Sequence, residues 1–167
     1  TILIEAYQQK IYWHVRRMVK SHDDTNDVMQ NTFVKVWNAL ENFRADSQLF
    51  TWIYRIATNE TITFLNSRTR KATVAFDGSD SEDEEGGYSP ASYLKGESSD
   101  IDGEHIQRKL QRAIDSLPEK QKMVFNLRYY DEMPYEEMSR VLETSEGALK
   151  ASYHHAVKKI EDYMLNH

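Results

Sequence analysis

Apolar residues recur every three or four positions through the N-terminal part of the chain, which is the spacing of one face of an α-helix. Three such stripes precede residue 72. They consist of Ile4, Tyr7, Ile11, Val15, Met18 and Val19, then of Val28, Met29, Thr32, Phe33, Val36, Trp37 and Leu40, and then of Phe50, Trp52, Ile53, Ile56, Ala57, Phe64 and Leu65. We therefore expect three packed helices in this part, the third capped by Asp46 or Ser47.

The C-terminal part also has helical periodicity, and its helix boundaries are marked by prolines and a serine. Pro118 ends one helix and begins the next, Pro134 opens a short helix over residues 135–142, and Ser145 caps a final helix. The inward residues of that final helix are predicted to be Leu149, Tyr153, Ala156, Ile160 and Tyr163. The pattern predicts an all-α fold.

The segment between these parts has no such periodicity. Residues 73–104 contain five of the six glycines together with many serines and acidic residues, so they offer little apolar surface to bury. We expect residues 73–103 to be a flexible acidic linker between two small helical domains, residues 1–72 and 104–167.

Charge is distributed unevenly along the chain. The total is −6, but residues 1–72 carry +3, residues 73–104 carry −9, and residues 105–167 are neutral. Because the acidity is confined to the middle segment, either flanking domain can still bind nucleic acid. Strong, non-specific DNA binding by the whole chain is not expected.

Several classes of protein are excluded by the residues that are missing. The chain has no cysteine, so disulfides, cysteine-bound metal clusters and thiol catalysis cannot occur. It has no glycine-rich phosphate loop, no G-x-S-x-G elbow and no H-E-x-x-H pair, and its histidines lack metal-ligand spacing. We expect no catalytic residue, no metal, no cofactor and no small-molecule substrate, and we expect a cytoplasmic protein.

The last two predicted helices form the outline of a helix-turn-helix. On the side of the final helix opposite the apolar stripe, Lys150, His154 and Lys158 follow one another at four-residue steps beside Ala151 and His155. Small and basic residues there suit entry into the major groove. An ordinary solvated helix face remains an equal alternative from spacing alone.

A second candidate for nucleic-acid binding lies in the first domain. Residues 42–59 read NFRADSQLFTWIYRIATN and mix aromatic side chains with arginines and polar groups around a loop. Single-stranded nucleic acid is bound by such mixtures, through base stacking and a cationic path for the backbone. Phe50, Trp52 and Ile53 are better explained by their helical spacing as core residues, whereas Phe43 and Arg44 in the loop are not.

These motifs resemble the extracytoplasmic-function (ECF) group of bacterial sigma factors. Residues 24–37, DTNDVMQNTFVKVW, are similar to the helix that docks on the clamp of the largest polymerase subunit, and residues 42–59 to the promoter-melting segment. The run that begins SLPEKQKMVFNLRYYDEMPYEEM at Ser116 resembles the region that reads the minus-thirty-five element and contacts the flap of the second-largest subunit. The two resemblances occur in family order and cover most of the chain.

The resemblance implies roles for particular residues. Contact with core RNA polymerase, or its support, is implied for Asp24, Asp27, Gln30, Asn31 and Phe33. Capture of a base flipped out of the minus-ten element is implied for Phe43, Arg44, Asp46 and Ser47, with Arg55 and Asn59 facing the nearby DNA. Recognition of the minus-thirty-five duplex is implied for Ser145, Lys150, Ala151, His154, His155 and Lys158.

Two departures from the family pattern affect the second domain. Histidines and a serine stand where many relatives have arginines, so we expect a weaker grip on isolated duplex. Met133-Pro134 also replaces the usual capping serine.

The resemblance implies a transcription initiation factor whose partners are core RNA polymerase, promoter DNA and an anti-sigma factor that can hold it at the inner membrane. It also implies that the acidic linker threads the polymerase cleft, with a solvated spacer as the alternative. A stand-alone helix-turn-helix regulator and a helical adaptor without nucleic-acid binding are the other two candidate functions.

Overall fold

A computed structural model describes the backbone of residues 2–43, 48–78 and 101–167, and the side chains of residues 5–43, 48–71 and 103–167. Throughout these ranges the regular structure is helical, with seven α-helices, one short 3₁₀ turn and no strand. The prediction of an all-α fold with a C-terminal helix-turn-helix is confirmed.

The N-terminal lobe consists of three long helices. Helix α1 spans Ile2–Val19, α2 spans His22–Ala39 and α3 spans Leu49–Gly78, with a 3₁₀ turn at Leu40–Asn42 after α2. The side chain of Ser21 caps α2 by accepting a hydrogen bond from the backbone N–H of Asp24. Lys20, with φ of 78°, makes the left-handed turn that reverses the chain between α1 and α2.

The C-terminal lobe consists of four shorter helices. Helix α4 spans Ile101–Asp115, α5 spans Glu119–Tyr129, α6 spans Tyr135–Leu142 and α7 spans Glu146–Asn166. Pro134 precedes α6 in an extended conformation and makes no side-chain cap. Glu143 adopts the left-handed conformation with φ of 51°, and this residue closes α6 so that α7 can start three residues later.

The predicted stripe of α2 is buried only over its first half. Val28, Met29 and Thr32 lie in the core, but Trp37 is 77% exposed and Leu40 is also exposed, so the expectation that these two pack inward is wrong. The reason is helical geometry, because nine residues at ~100° each place Trp37 about 180° around the helix from Val28.

The helices also extend into the predicted linker. Helix α3 continues to Gly78 and α4 already begins at Ile101, so both ends of the 73–103 segment are helical rather than irregular. Residues 79–100, which contain most of that segment, lie outside the described residues.

The two lobes share one hydrophobic core. Val15, Met18 and Val19 of α1 belong to the same buried cluster as Val124 and Leu127 of α5. Helix α1 contacts α5 directly, and helix α3 contacts α6. A second cluster joins α4, α5 and α7 within the C-terminal lobe, through Ala113, Ile114, Leu117, Phe125, Ala156 and Ile160.

A polar cluster accompanies this shared core. Asp131, in the turn between α5 and α6, lies against three residues of the N-terminal lobe, His14, Arg17 and Tyr54. His14 is fully buried, and its Nε2 is 2.9 Å from the hydroxyl of Thr58. Burial, with a smaller effect of Arg17, lowers the pKa of His14 to about 3. Burial raises the pKa of Asp131 to about 6, against the opposing effects of Arg17, Tyr54 and Lys10.

These two groups should make opposite contributions to the pH dependence of folding. Because His14 accepts a proton more readily in the unfolded chain, its contribution to stability is lost as the pH falls from ~6.5 toward 3. Because Asp131 binds its proton more tightly when folded, its contribution is present at low pH and is lost as the pH rises through about 6.

The variant Asp131→Asn separates the two effects. In this variant His14 still titrates but residue 131 does not. As the pH decreases from about 7 to 5, the free energy of unfolding should therefore fall more steeply than in the wild type. Urea unfolding across this range measures the difference, and parallel pH profiles would contradict it. The variant His14→Gln should show the reverse change in slope.

Candidate nucleic-acid interface

One face of α2 presents the polar residues that were predicted to contact polymerase. Asp27, Gln30 and Asn31 are exposed and lie within one turn of one another, whereas Asp24 at the start of the helix is half-buried. Phe33 is half-buried and packs against the core. Three of the five predicted residues therefore form an accessible surface, and the other two support it.

The same helix carries an apolar patch that the sequence reasoning assigned to the core or overlooked. Val34 is 54% exposed and Trp37 is 77% exposed, one turn apart and directly after Gln30 and Asn31. Leu40 extends the patch at the end of the helix. We call Val34, Trp37 and Leu40 the α2 patch; exposed aromatic side chains of this kind are typical anchors of protein interfaces.

An aromatic pair begins the predicted minus-ten site. The ring of Phe43 packs on that of Trp52 with centroids 4.9 Å apart and a tilt of 48°. Both rings are half-buried, so each keeps a surface that a base can contact. Arg44, Asp46 and Ser47, which were predicted to complete this site, lie outside the described residues.

A cleft of about 440 Å³ lies between the end of α2 and the middle of α3. Its lining residues are Lys35, Asn38, Ala39, Asn42, Ile56, Asn59 and Glu60. The three asparagine amides can each donate and accept hydrogen bonds, as the edge of a base requires. Lys35 forms an ion pair with Glu60 at the cleft wall. Of these lining residues, only Asn59 was predicted as a site residue. The cleft combines residues of α2, the 3₁₀ turn and α3, which no local sequence pattern groups together.

Arg55 is engaged in an interaction that the sequence did not predict. It lies one turn before Asn59 on α3, but its guanidinium is ion-paired with Glu143 of the C-terminal lobe. Its side chain is 47% exposed, so the pair lies at the surface. In this arrangement of the lobes Arg55 contacts Glu143 at the end of α6, and its contact with DNA stays a prediction.

The helix-turn-helix brings the predicted minus-thirty-five residues onto one face. Lys150, His154 and Lys158 are exposed along α7, and Ala151 and His155 are exposed beside them. Ser145 caps the helix by accepting a hydrogen bond from the backbone N–H of Ala148 at 3.2 Å. The ammonium of Lys150 also lies 5.6 Å from the ring centroid of Tyr135 on α6.

The described residues provide neither a metal site nor a membrane-spanning helix. The side chains that the structure describes include no cluster of three or more His, Asp or Glu residues able to hold a metal ion. None of the helices, as far as they are described, is both long enough and apolar enough to cross a membrane.

Comparison with protein families matches both lobes. Residues 3–71 match Sigma-70 region 2, and residues 107–160 match Sigma-70, region 4.

Curated relatives match over nearly the whole chain. The ECF RNA polymerase sigma-E factor of Escherichia coli (strain K12) is 32% identical over 162 residues, covering 96% of this chain and 84% of the relative. The sigma-E factor of Salmonella typhi matches to the same extent, and the RNA polymerase sigma-H factor of Pseudomonas aeruginosa is 30% identical over 161 residues, covering 96% and 83%.

Two solved structures share the fold. The sigma factor RpoE of Bartonella quintana, crystallised with the anti-sigma factor NepR, aligns with a TM-score of 0.72 at 20% identity and covers 98% of this chain and 94% of that one. CnrH in complex with the cytosolic domain of CnrY aligns with a TM-score of 0.63 at 20% identity, covering 96% and 83%.

Two helical lobes, the second a helix-turn-helix, define a two-region transcription initiation factor. The chain belongs to the ECF family of RNA polymerase sigma factors. It binds core RNA polymerase and directs promoter-specific initiation, as the resemblance implied, and this excludes the stand-alone regulator and the adaptor.

The hydrogen bond by which Ser145 caps α7 should contribute measurably to the free energy of unfolding. Replacing Ser145 by alanine leaves the N–H of Ala148 without its acceptor, so the free energy of unfolding should fall by about 1 kcal/mol. Ser145→Asp is the matched control, since aspartate also caps helices and should keep most of the stability. Urea unfolding measures both variants, and equal losses in the two would show that the cap contributes nothing.

Proposed function

We propose that three surfaces of this sigma factor divide the work of initiation. The exposed face of α2 docks on the polymerase clamp, the cleft between α2 and α3 takes a base flipped from the minus-ten element, and α7 reads the minus-thirty-five duplex. The observation that carries this proposal is the cleft, which brings Asn38, Asn42 and Asn59 together next to the start of the predicted melting loop.

The cleft suits a flipped base for chemical reasons. Extruding a base costs a few kcal/mol, which stacking and hydrogen bonds to the base edge must offset. Phe43 offers an aromatic face, and Asn38, Asn42 and Asn59 offer donors and acceptors on three sides. Arg44, Asp46 and Ser47 would complete the pocket from the adjoining loop.

The face of α7 suits a duplex that is held in place by polymerase. Lys150 and Lys158 are its fixed charges, and His154 and His155 take the remaining positions. Because this face carries only two fixed cations, its electrostatic attraction to phosphates is modest. We therefore propose that minus-thirty-five binding depends on the tether to polymerase.

We also propose an anti-sigma partner, a cytoplasmic location and a non-catalytic role. The Bartonella quintana structure reported above is of a sigma factor bound to an anti-sigma factor. The α2 patch is a suitable target for such an inhibitor, because an inhibitor that covers the patch would also block the contact between α2 and the polymerase clamp.

Run-off transcription with purified core polymerase tests the cleft and the recognition helix. Asn59→Ala should reduce promoter-specific transcripts by about 5- to 150-fold, because one good base contact contributes about 1–3 kcal/mol. Arg44→Ala should reduce them similarly, and Lys150→Ala should act only on templates that carry a minus-thirty-five element. Asn166→Ala, at an exposed position at the end of α7 and outside the predicted site residues, is the control. Unchanged transcription with Asn59→Ala and Arg44→Ala would refute the pocket.

The α2 patch gives a separate prediction. Trp37→Ala should weaken binding to core polymerase by roughly 30-fold, as expected for a buried aromatic anchor. It should barely change the free energy of unfolding, because the side chain is already exposed. Trp13→Ala is the matched control, since Trp13 is 54% exposed on α1. Equal affinities for the two variants would exclude the patch from docking.

A further inference from the structure

The cleft between α2 and α3 contains a buried carboxylate. Glu60 of α3 lines the cleft, yet its side chain is only 10% exposed. The other polar residues of the lining are all exposed, namely Lys35, Asn38, Asn42 and Asn59. Because little water reaches Glu60, its interactions with a molecule in the cleft are screened less than those of a surface charge.

An ion pair compensates the charge of Glu60. The ammonium of Lys35 on α2 lies against Oε1 of the carboxylate, and the lysine side chain is 62% exposed. The pair therefore joins the two helices that form the cleft. Since the two charges offset one another, the cleft does not repel the phosphates of DNA as an unpaired carboxylate would.

Glu60 and the asparagines of the cleft differ in what they can recognise. An asparagine amide both donates and accepts hydrogen bonds, so the side chains of Asn38, Asn42 and Asn59 suit the edge of any base. A carboxylate only accepts, and besides the oxygen that is paired with Lys35 it has a second one for this purpose. Glu60 therefore requires a hydrogen-bond donor on the bound molecule.

The four bases differ in the donors that they present. Cytosine, adenine and guanine each carry an exocyclic amino group, and a glutamate can accept a hydrogen bond from such a group. Thymine has no amino group, and its one ring N–H is flanked by two carbonyl oxygens. A carbonyl oxygen held against the Glu60 carboxylate is repelled, whereas an amino group donates to it. The carboxylate thus favours the three amino-bearing bases over thymine.

We propose that Glu60 is a specificity-determining residue of this sigma factor, which selects a flipped base that carries an exocyclic amino group and rejects thymine. In this scheme Lys35 offsets the charge of Glu60 and so sets the affinity for all bases alike. The inference rests on the proposed function of the cleft, and it adds the chemical class of base that the cleft accepts.

Selection from a promoter library tests the base preference. Core polymerase loaded with the full chain is mixed with templates whose minus-ten element is randomised, and the bound templates are sequenced. At the flipped position the wild type should deplete thymine by about tenfold, as expected for one good base contact. Glu60→Gln should abolish this depletion, because the glutamine amide can donate to the carbonyl oxygens of thymine. Preferences at the other positions should stay as in the wild type.

Glu41→Gln is the matched control. It removes the same charge from an exposed residue of the 3₁₀ turn that does not line the cleft, and it should keep the wild-type preference. Glutamine has the size and shape of glutamate, so both variants should show the native helix content by far-ultraviolet circular dichroism.

Lys35→Gln separates selectivity from a structural role of the ion pair. This variant leaves Glu60 without its counter-charge, so binding of all templates should weaken several-fold while thymine stays depleted. If the pair served only to hold α2 against α3, Lys35→Gln and Glu60→Gln would have the same effect on selection. That result would overturn the assignment of specificity to Glu60.

The remaining outcomes distinguish this inference from the proposed function. If Asn59→Ala lowers transcription but Glu60→Gln leaves thymine as depleted as in the wild type, the role of Glu60 is refuted and the cleft still binds a base. Equal use of thymine by the wild type at every position would also refute it. If neither variant changes transcription or selection, the proposed function of the cleft fails as well.

Discussion

The structure depends on the burial of α1 from two sides. Ile11, Val15 and Val19 are fully buried, because α2 and α3 cover one flank of this helix and α5 covers another. At ~100° per residue these three lie within about 80° of one another, so a single apolar stripe of α1 is covered by helices of both lobes. The second lobe therefore completes the core of the first.

Much of this fold was predictable because the decisive signals are local. Ser145 and Pro134 mark helix starts through their own backbone chemistry, and the stripe of α7 faces inward as its spacing requires. The burial of Trp37 was mispredicted, because the predicted stripe was too broad and Trp37 lies about 180° around α2 from Val28. Helix α3 also continues past the predicted boundary to Gly78, because nothing in its last turns forbids helix.

The candidate sites also differ in whether local sequence signals predict them. The minus-thirty-five residues lie on one helix, so the sequence alone could group Lys150, His154 and Lys158. The cleft combines Asn38 and Asn42 with Asn59, and the Asp131 cluster joins the turn between α5 and α6 to α1 and α3 over long separations in sequence. No periodicity encodes such pairs, and only tertiary packing brings them together.

The segment between Gly78 and Ile101 sets a limit on how far the lobes can part. Its intervening residues, 79–100, can span at most ~80 Å when fully extended. Two promoter elements about 25 base pairs apart are separated by roughly 85 Å of B-form duplex. The tether alone is thus slightly too short, so the dimensions of the lobes must supply the rest. Because both lobes stay on one chain, their contact is intramolecular and does not depend on protein concentration.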